Sequence, residues 1–157
     1  MLTGAWHPGP WLFPSCFGIS ILSALFPWIN GEVLAFGYAT LMHTPGEMAA
    51  LVLVVSAGQT VGKAFLYHIG FVAGKLAARD SARIERWRAR LTGRLRSALA
   101  LVFVSSFASI PPLYPTTLFA GAVRMPLVPF LVVIGCGRVA RYFVLLLIPA
   151  IVLWLRK

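Results

Sequence analysis

The stretch that decides the fold is Phe26-Pro27-Trp28-Ile29-Asn30-Gly31-Glu32. Its Pro, Asn and Gly residues favour a break in a helix, and Glu32 places a carboxylate beside that break. A carboxylate at membrane depth costs roughly 2.5 to 3.5 kcal/mol on insertion scales, so it is expected to face a cavity or the protein interior. Glu32 is therefore a candidate functional residue, and a structural ion pair or a helix cap is the alternative.

The composition around this stretch is that of an integral membrane protein. Hydrophobic residues make up 59% of the 157 residues, and the mean hydropathy is +0.85. A soluble domain of this length could not bury so much apolar surface. The two cysteines lie in apolar runs, so the sequence indicates neither a disulfide nor a metal site, and it indicates no cofactor.

The basic residues are concentrated in one segment. The net charge is +10, and half of the 14 basic residues fall between Arg79 and Arg96. This distribution follows the positive-inside rule, so we expect segment 79–97 to be cytoplasmic and expect no nucleic-acid partner. An apolar stripe within the segment predicts an amphipathic helix that lies on the membrane surface and attracts anionic lipid headgroups, or that serves as a topological anchor alone. The stripe consists of Ile84, Trp87, Leu91 and Leu95.

Two short apolar pieces, Ser15–Phe26 and Val33–Met42, flank the first break. Because a helix needs about 20 residues to cross a bilayer, neither piece spans alone, and a re-entrant helical hairpin is favoured over one broken span. Thr44 and Glu47 then form a predicted capping box for the next helix. That helix, Ala49–Ala78, is long enough to span, and its small-xxx-small glycine pairs predict close packing against another helix.

The second half of the chain repeats this order. Ala98–Ser109 and Thr116–Met125 are short apolar pieces separated by the break Ile110–Pro115, and Leu127–Leu155 is a second long span. At an offset of 84 residues, Pro27 matches Pro111 and Gly37 matches Gly121; at an offset of 78 residues, Lys63 matches Arg141 and Phe65 matches Phe143.

The predicted fold is therefore an all-α integral membrane protein with a single membrane domain over residues 1–157. It is an inverted repeat of two units, about 15–78 and about 98–155, and the basic cytoplasmic helix 79–97 joins them. Each unit is a re-entrant helical hairpin plus a long transmembrane helix. Because each unit then crosses the membrane an odd number of times, the two lie in opposite orientations, as in many secondary transporters.

Several of these patterns resemble the DedA or VTT-domain (SNARE-associated Golgi protein) family, in its small bacterial branch, over roughly residues 15 to 150. The matching text includes Pro27-x4-Glu32, Gly58-x3-Gly62-Lys63, Ala120-Gly121-x2-Arg124-Met125-Pro126 and Gly137-Arg138-x2-Arg141-Tyr142. One departure is clear. Many DedA proteins carry arginines around the second break, where this chain has none, and Arg138 and Arg141 on the following span are expected to supply that charge.

The resemblance implies translocation of a phosphate-bearing lipid, such as undecaprenyl phosphate or a phospholipid, by a flippase or scramblase in the bacterial inner membrane, with coupling to protons in some members. Arginine suits this task because its planar fork binds phosphate oxygens. We therefore predict a transport site of Lys63, Arg138 and Arg141 opposite Glu32. As alternatives, Arg138 and Arg141 snorkel to an interface, and Lys63 is structural.

Secondary site candidates are Arg124, Glu47 and Thr116, although Glu47 is expected mainly to cap a helix. An enzymatic role is not expected, because the chain offers four acids and three histidines without metal-ligand or nucleophile–base spacing. The alternative functions are a small-ion or proton-coupled solute transporter and a membrane-organising structural protein. The glycine pairs also allow a homodimer.

Overall fold

The structure is a computed structural model that describes residues 11–26, 28–76, 85–87, 89–90 and 93–147. The regular structure across these residues is all helical, which confirms the all-α prediction. The helices are α1 (Leu12–Leu25), α2 (Gly31–Ala39), α3 (Pro45–Leu76), α4 (Leu95–Ala108), α5 (Leu113–Ala122) and α6 (Leu127–Tyr142), and α6 continues as a π-helical turn over Phe143–Leu147. Each half of the chain therefore gives two short helices followed by a longer one.

The first break ends sooner than the sequence suggested. Asn30 caps α2, because its side-chain oxygen accepts a hydrogen bond from the backbone N–H of Glu32 at 3.0 Å. Such a cap replaces one of the partners that the first turn of a helix lacks. The helix therefore starts at Gly31, and Glu32 lies in its first turn, where the helix dipole favours a carboxylate.

The start of α3 confirms the predicted capping box. Glu47 Oε2 accepts hydrogen bonds from the backbone N–H groups of His43 at 2.8 Å and Thr44 at 3.2 Å. Thr44 Oγ1 in turn accepts a hydrogen bond from the backbone N–H of Glu47 at 3.2 Å. The reciprocal bonds fix where the long helix begins.

The second break is also shorter than predicted. Helix α4 ends at Ala108, and Ser109 takes the left-handed conformation that commonly ends a helix. Helix α5 then begins at Leu113 instead of Thr116, so Pro115 lies inside it. Proline is tolerated there because the first helical turn lacks intrahelical partners for its N–H groups.

Helix α3 is the centre of the packing, in contact with α1, α5 and α6, and α4 packs against α6. The glycine pairs make these contacts close, as predicted. A methyl group added at Gly58 would lie 2.7 Å from the backbone oxygen of Phe17 on α1, and one added at Gly74 would lie 2.8 Å from the backbone of Ala122 on α5. Two apolar clusters fill the interior, one around Leu51 on α3 and one around Phe130 on α6.

In the part of the chain that the structure describes, two helical stretches are long and apolar enough to cross a bilayer by length and composition, Pro45–Leu76 and Leu127–Leu146. The end of the second predicted span, from 148 onward, lies outside the described residues. Residues 79–84, 88, 91 and 92 of the predicted amphipathic helix 79–97 also lie outside them, including Ile84 and Leu91 of its stripe. Trp87 of that stripe is described, and its ring packs edge-on against Phe119 at 6.1 Å between centroids.

Candidate functional site

A cavity of about 330 Å³ lies where the two breaks meet the middle of the long helices. The first break contributes Asn30 and Glu32 to its wall, and the second contributes residues 112–114. The polar side chains that α3 and α6 add are Gln59, Lys63, Arg138 and Tyr142. Residues from both halves of the chain thus line this one polar cavity.

Lys63 is buried in this wall, with 5% of its surface exposed. Its Nζ donates a hydrogen bond to the backbone oxygen of Ala24 at 2.9 Å, at the end of α1, and lies 5.4 Å from the centre of the Tyr114 ring. A carbonyl at the C-terminal end of a helix carries partial negative charge, so it stabilises the ammonium group. An ammonium group has three donors, so this bond leaves others for a ligand.

Arg138 is also buried, with 8% of its surface exposed. Among the described residues, no acceptor takes a hydrogen bond from its Nε. An unpaired, buried guanidinium donor is costly, since folding removes its water without replacing it. Arg138 lines the cavity, and its Nε is an unused donor that is buried within the protein.

Arg141 lies one helical turn from Arg138 and pairs with Glu32. Its Nε donates to Glu32 Oε1 at 2.9 Å, its Nη2 contacts the same oxygen, and its Nη1 donates to the backbone oxygen of Phe107. Both side chains are partly exposed. Through these two interactions, Arg141 connects the first break to the C-terminal end of α4.

The charged side chains in and beside the cavity carry a net positive charge. The Glu32–Arg141 pair is close to neutral, and Glu32 is the only acidic side chain among the described residues that line the cavity. Lys63 and Arg138 lie near each other and add two positive charges. Such an excess in a low-dielectric interior attracts an anion.

The structure thus brings together all four residues of the predicted transport site. Glu32, Lys63 and Arg138 line the cavity, and Arg141 is bound to Glu32 at its side. In this structure Arg138 does not snorkel to a surface, because it is almost fully buried. A role for the four residues in transport stays a prediction.

The secondary candidates lie away from this cavity. Glu47 caps α3, and Thr116 Oγ1 donates to the backbone oxygen of Pro112 at 2.9 Å within α5. Arg124 is exposed, and its guanidinium lies 5.7 Å from the centre of the Phe71 ring. None of the three is among the described residues that line the cavity.

Sequence reasoning missed one pair in the wall. Gln59 Nε2 donates a hydrogen bond to Tyr142 Oη at 2.7 Å, and both residues are buried. Neither residue is among the site residues that the sequence predicts. A glutamine in the interior of an otherwise apolar span was the available signal, because such a residue needs a hydrogen-bond partner.

Comparison of the chain with models of protein families, with curated proteins and with solved structures gives no match.

Proposed function

We propose that this protein is a membrane lipid translocase that binds a phosphate-bearing headgroup in the cavity and moves it across the bilayer. The observation that carries the proposal is the pair of buried cations, Lys63 and Arg138, that face one cavity without a matching acid. A phosphate monoester or diester supplies the missing negative charge. Undecaprenyl phosphate and anionic phospholipids both have this chemistry.

The outer surface supports a location in the membrane. Along α3, large apolar side chains are exposed, and a soluble protein rarely leaves so many of them uncovered on one helix. These residues are Leu53, Val61, Phe65, Ile69, Val72 and Leu76. Acyl chains of a bilayer would cover them, and the bacterial inner membrane is the proposed location.

The order of helices supports an inverted repeat. In each half two short helices precede a longer one, and the cavity takes side chains from both halves. Transporters with inverted repeats hold their substrate at the interface between the repeats, near the midplane of the bilayer. We propose that the two short-helix pairs are re-entrant hairpins, as in the DedA or VTT-domain proteins that the sequence resembles.

The Glu32–Arg141 pair gives the site a way to respond to its substrate. A phosphate oxygen that approaches Arg141 competes with Glu32 for the same donors, because an arginine fork binds phosphate as readily as carboxylate. Headgroup binding would then break the Glu32–Arg141 pair, which joins the first break to α6.

The test is lipid movement in proteoliposomes that contain the purified chain and fluorescent phosphatidylglycerol. We expect Lys63→Met and Arg138→Met each to slow headgroup movement by at least tenfold, since both remove a positive charge and keep a long side chain. Arg124→Met, which removes an exposed arginine outside the cavity, is the matched control and should retain most of the rate. Movement would be measured with and without a proton gradient.

A wild-type chain that moves no phosphate-bearing lipid under either condition would rule out the proposal. Flux of small ions through the same proteoliposomes, without lipid movement, would instead favour the solute transporter.

A further inference from the structure

The hydroxyl group of Tyr142 is held in the cavity wall by a residue of another helix. Gln59 on α3 donates to Tyr142 Oη across the interface with α6, and only 1% of the surface of Tyr142 is exposed. The Arg138 guanidinium is beside the same oxygen, one turn back on α6. The position and the bonding of this oxygen are therefore fixed by the fold.

The direction of the hydroxyl proton follows from these contacts. A tyrosine hydroxyl has one donor and can accept two hydrogen bonds. Gln59 and Arg138 are both donors on its acceptor side, so the proton must point away from them. No described residue accepts it, and Tyr142 lines the cavity. The proton is thus available to a molecule in the cavity.

We propose that Tyr142 is a third binding group of the site and donates a hydrogen bond to an oxygen of the bound anion, with Gln59 as the residue that positions it. The proposal rests on the proposed function, since it assumes that an anion enters this cavity. Lys63 has two donors that do not bind Ala24, so with the hydroxyl the site offers three donors from two helices, beside the charge of Arg138. Three donors from different directions suit a tetrahedral oxyanion such as a phosphate ester.

This geometry implies selectivity as well as affinity. Lys63 and Arg138 attract any anion through charge, whereas a neutral hydroxyl of fixed direction favours a ligand with an oxygen at the right place. Loss of the hydroxyl should therefore weaken phosphate binding more than chloride binding. A purely structural role for Tyr142 would not change that ratio.

The experiment compares binding to the full-length chain purified in a neutral detergent. The probes are decyl phosphate, inorganic phosphate and chloride. Their binding is measured by titration calorimetry and by the change in the melting temperature of the protein. We expect Tyr142→Phe to weaken phosphate binding by about tenfold or more, since hydrogen bonds to charged groups are among the strong ones. Tyr38→Phe is the matched control, because it removes a hydroxyl that lies 3.3 Å from Ser15 Oγ and is not among the described residues that line the cavity. It should bind phosphate within about twofold of wild type.

The assignment of Tyr142 as a binding group is supported if Tyr142→Phe binds either phosphate probe more weakly than wild type while its affinity for chloride is unchanged. The probe that binds more tightly identifies a lipid headgroup or free phosphate as the source of the anion. Equal phosphate binding by Tyr142→Phe and Tyr38→Phe overturns the assignment, even where Lys63→Met and Arg138→Met abolish binding and so uphold the proposed function. A wild-type chain that binds neither phosphate probe overturns both.

Gln59→Leu provides a second variant in case Tyr142→Phe does not fold. It keeps the tyrosine and removes only the group that directs its proton. We expect phosphate binding to weaken by about threefold or more, while chloride binding stays unchanged. Phosphate binding equal to that of wild type would contradict the role of Gln59 and, with it, the assigned direction of the proton.

Discussion

The Arg138 guanidinium is buried beside a second cation, Lys63, and its Nε–H has no acceptor among the described residues. Both features oppose folding, because the group loses water and gains a like-charged neighbour. A residue that destabilises its own position is expected where function requires it. The opposite effects of Arg138 on stability and on activity can therefore be measured.

We predict that Arg138→Met raises the melting temperature of the detergent-solubilised protein. Replacement of a buried charge by an apolar side chain of similar size is often stabilising by about 1 to 4 kcal/mol. For a chain of this size that corresponds to roughly 2 to 4 °C for each kcal/mol. Differential scanning calorimetry on wild type and variant in the same detergent would measure the change.

Arg124→Met is the control, since Arg124 is exposed and its replacement should change stability little. If Arg138→Met melts below the wild type, Arg138 is a net stabilising group and the expected conflict between stability and function is absent.

Among the helical elements, α3 depends on glycines where other helices approach it. Gly58 lies under the backbone of α1, whereas Gly18, on α1 itself, has open space around its α-carbon. Alanine is the better helix former by about 1 kcal/mol in both positions. Whether a Gly→Ala substitution raises or lowers the free energy of unfolding should therefore depend only on whether another helix contacts the glycine.

We predict that Gly58→Ala destabilises the protein by about 1 to 3 kcal/mol, because the added methyl group would overlap the backbone of α1. Gly18→Ala should be neutral or stabilising by up to about 1 kcal/mol. Melting temperatures of the two variants, measured side by side, give the comparison. A stabilised Gly58→Ala would show that α1 and α3 are farther apart than the structure places them.

These elements also show what sequence could and could not reveal. Local signals were sufficient for the capping box of Thr44 and Glu47, the two breaks and the glycine contacts, because each depends on residues close in the chain or on a regular spacing. The apolar run predicts that α2 starts at Val33, but the helix starts two residues earlier, at Gly31, because the Asn30 side chain caps it. The bond between Gln59 and Tyr142 joins residues 83 apart in sequence, and no local pattern predicts such a contact.

At the scale of the whole molecule, basic side chains collect at one end. The Lys75 ammonium lies 4.6 Å and the Arg124 guanidinium 5.7 Å from the centre of the same Phe71 ring. Arg90 lies 5.7 Å from the ring of Trp87, which in turn packs against Phe119. Residues from both halves thus share this end, as the positive-inside rule requires if the end is cytoplasmic.

This arrangement predicts the topology of α3. With 32 residues the helix is about 48 Å long, enough to cross the bilayer with its N-terminal turn on the side opposite the basic end. In a background without Cys16 and Cys136, we expect a membrane-impermeant maleimide to label His43→Cys in intact bacterial spheroplasts. Gly93→Cys, on the basic side, should be labelled only in inverted vesicles.

Both positions are exposed in the structure, so access depends on the membrane and not on burial. Labelling in detergent provides the control for reactivity, because both cysteines should then react equally. If both react from the same side of an intact membrane, α3 does not cross it, and the parity on which the inverted repeat depends is lost. Labelling of the two cysteines from opposite sides would mean that α3 crosses the membrane once between the two hairpins. The first break would then open toward one leaflet and the second toward the other, with the cavity between them.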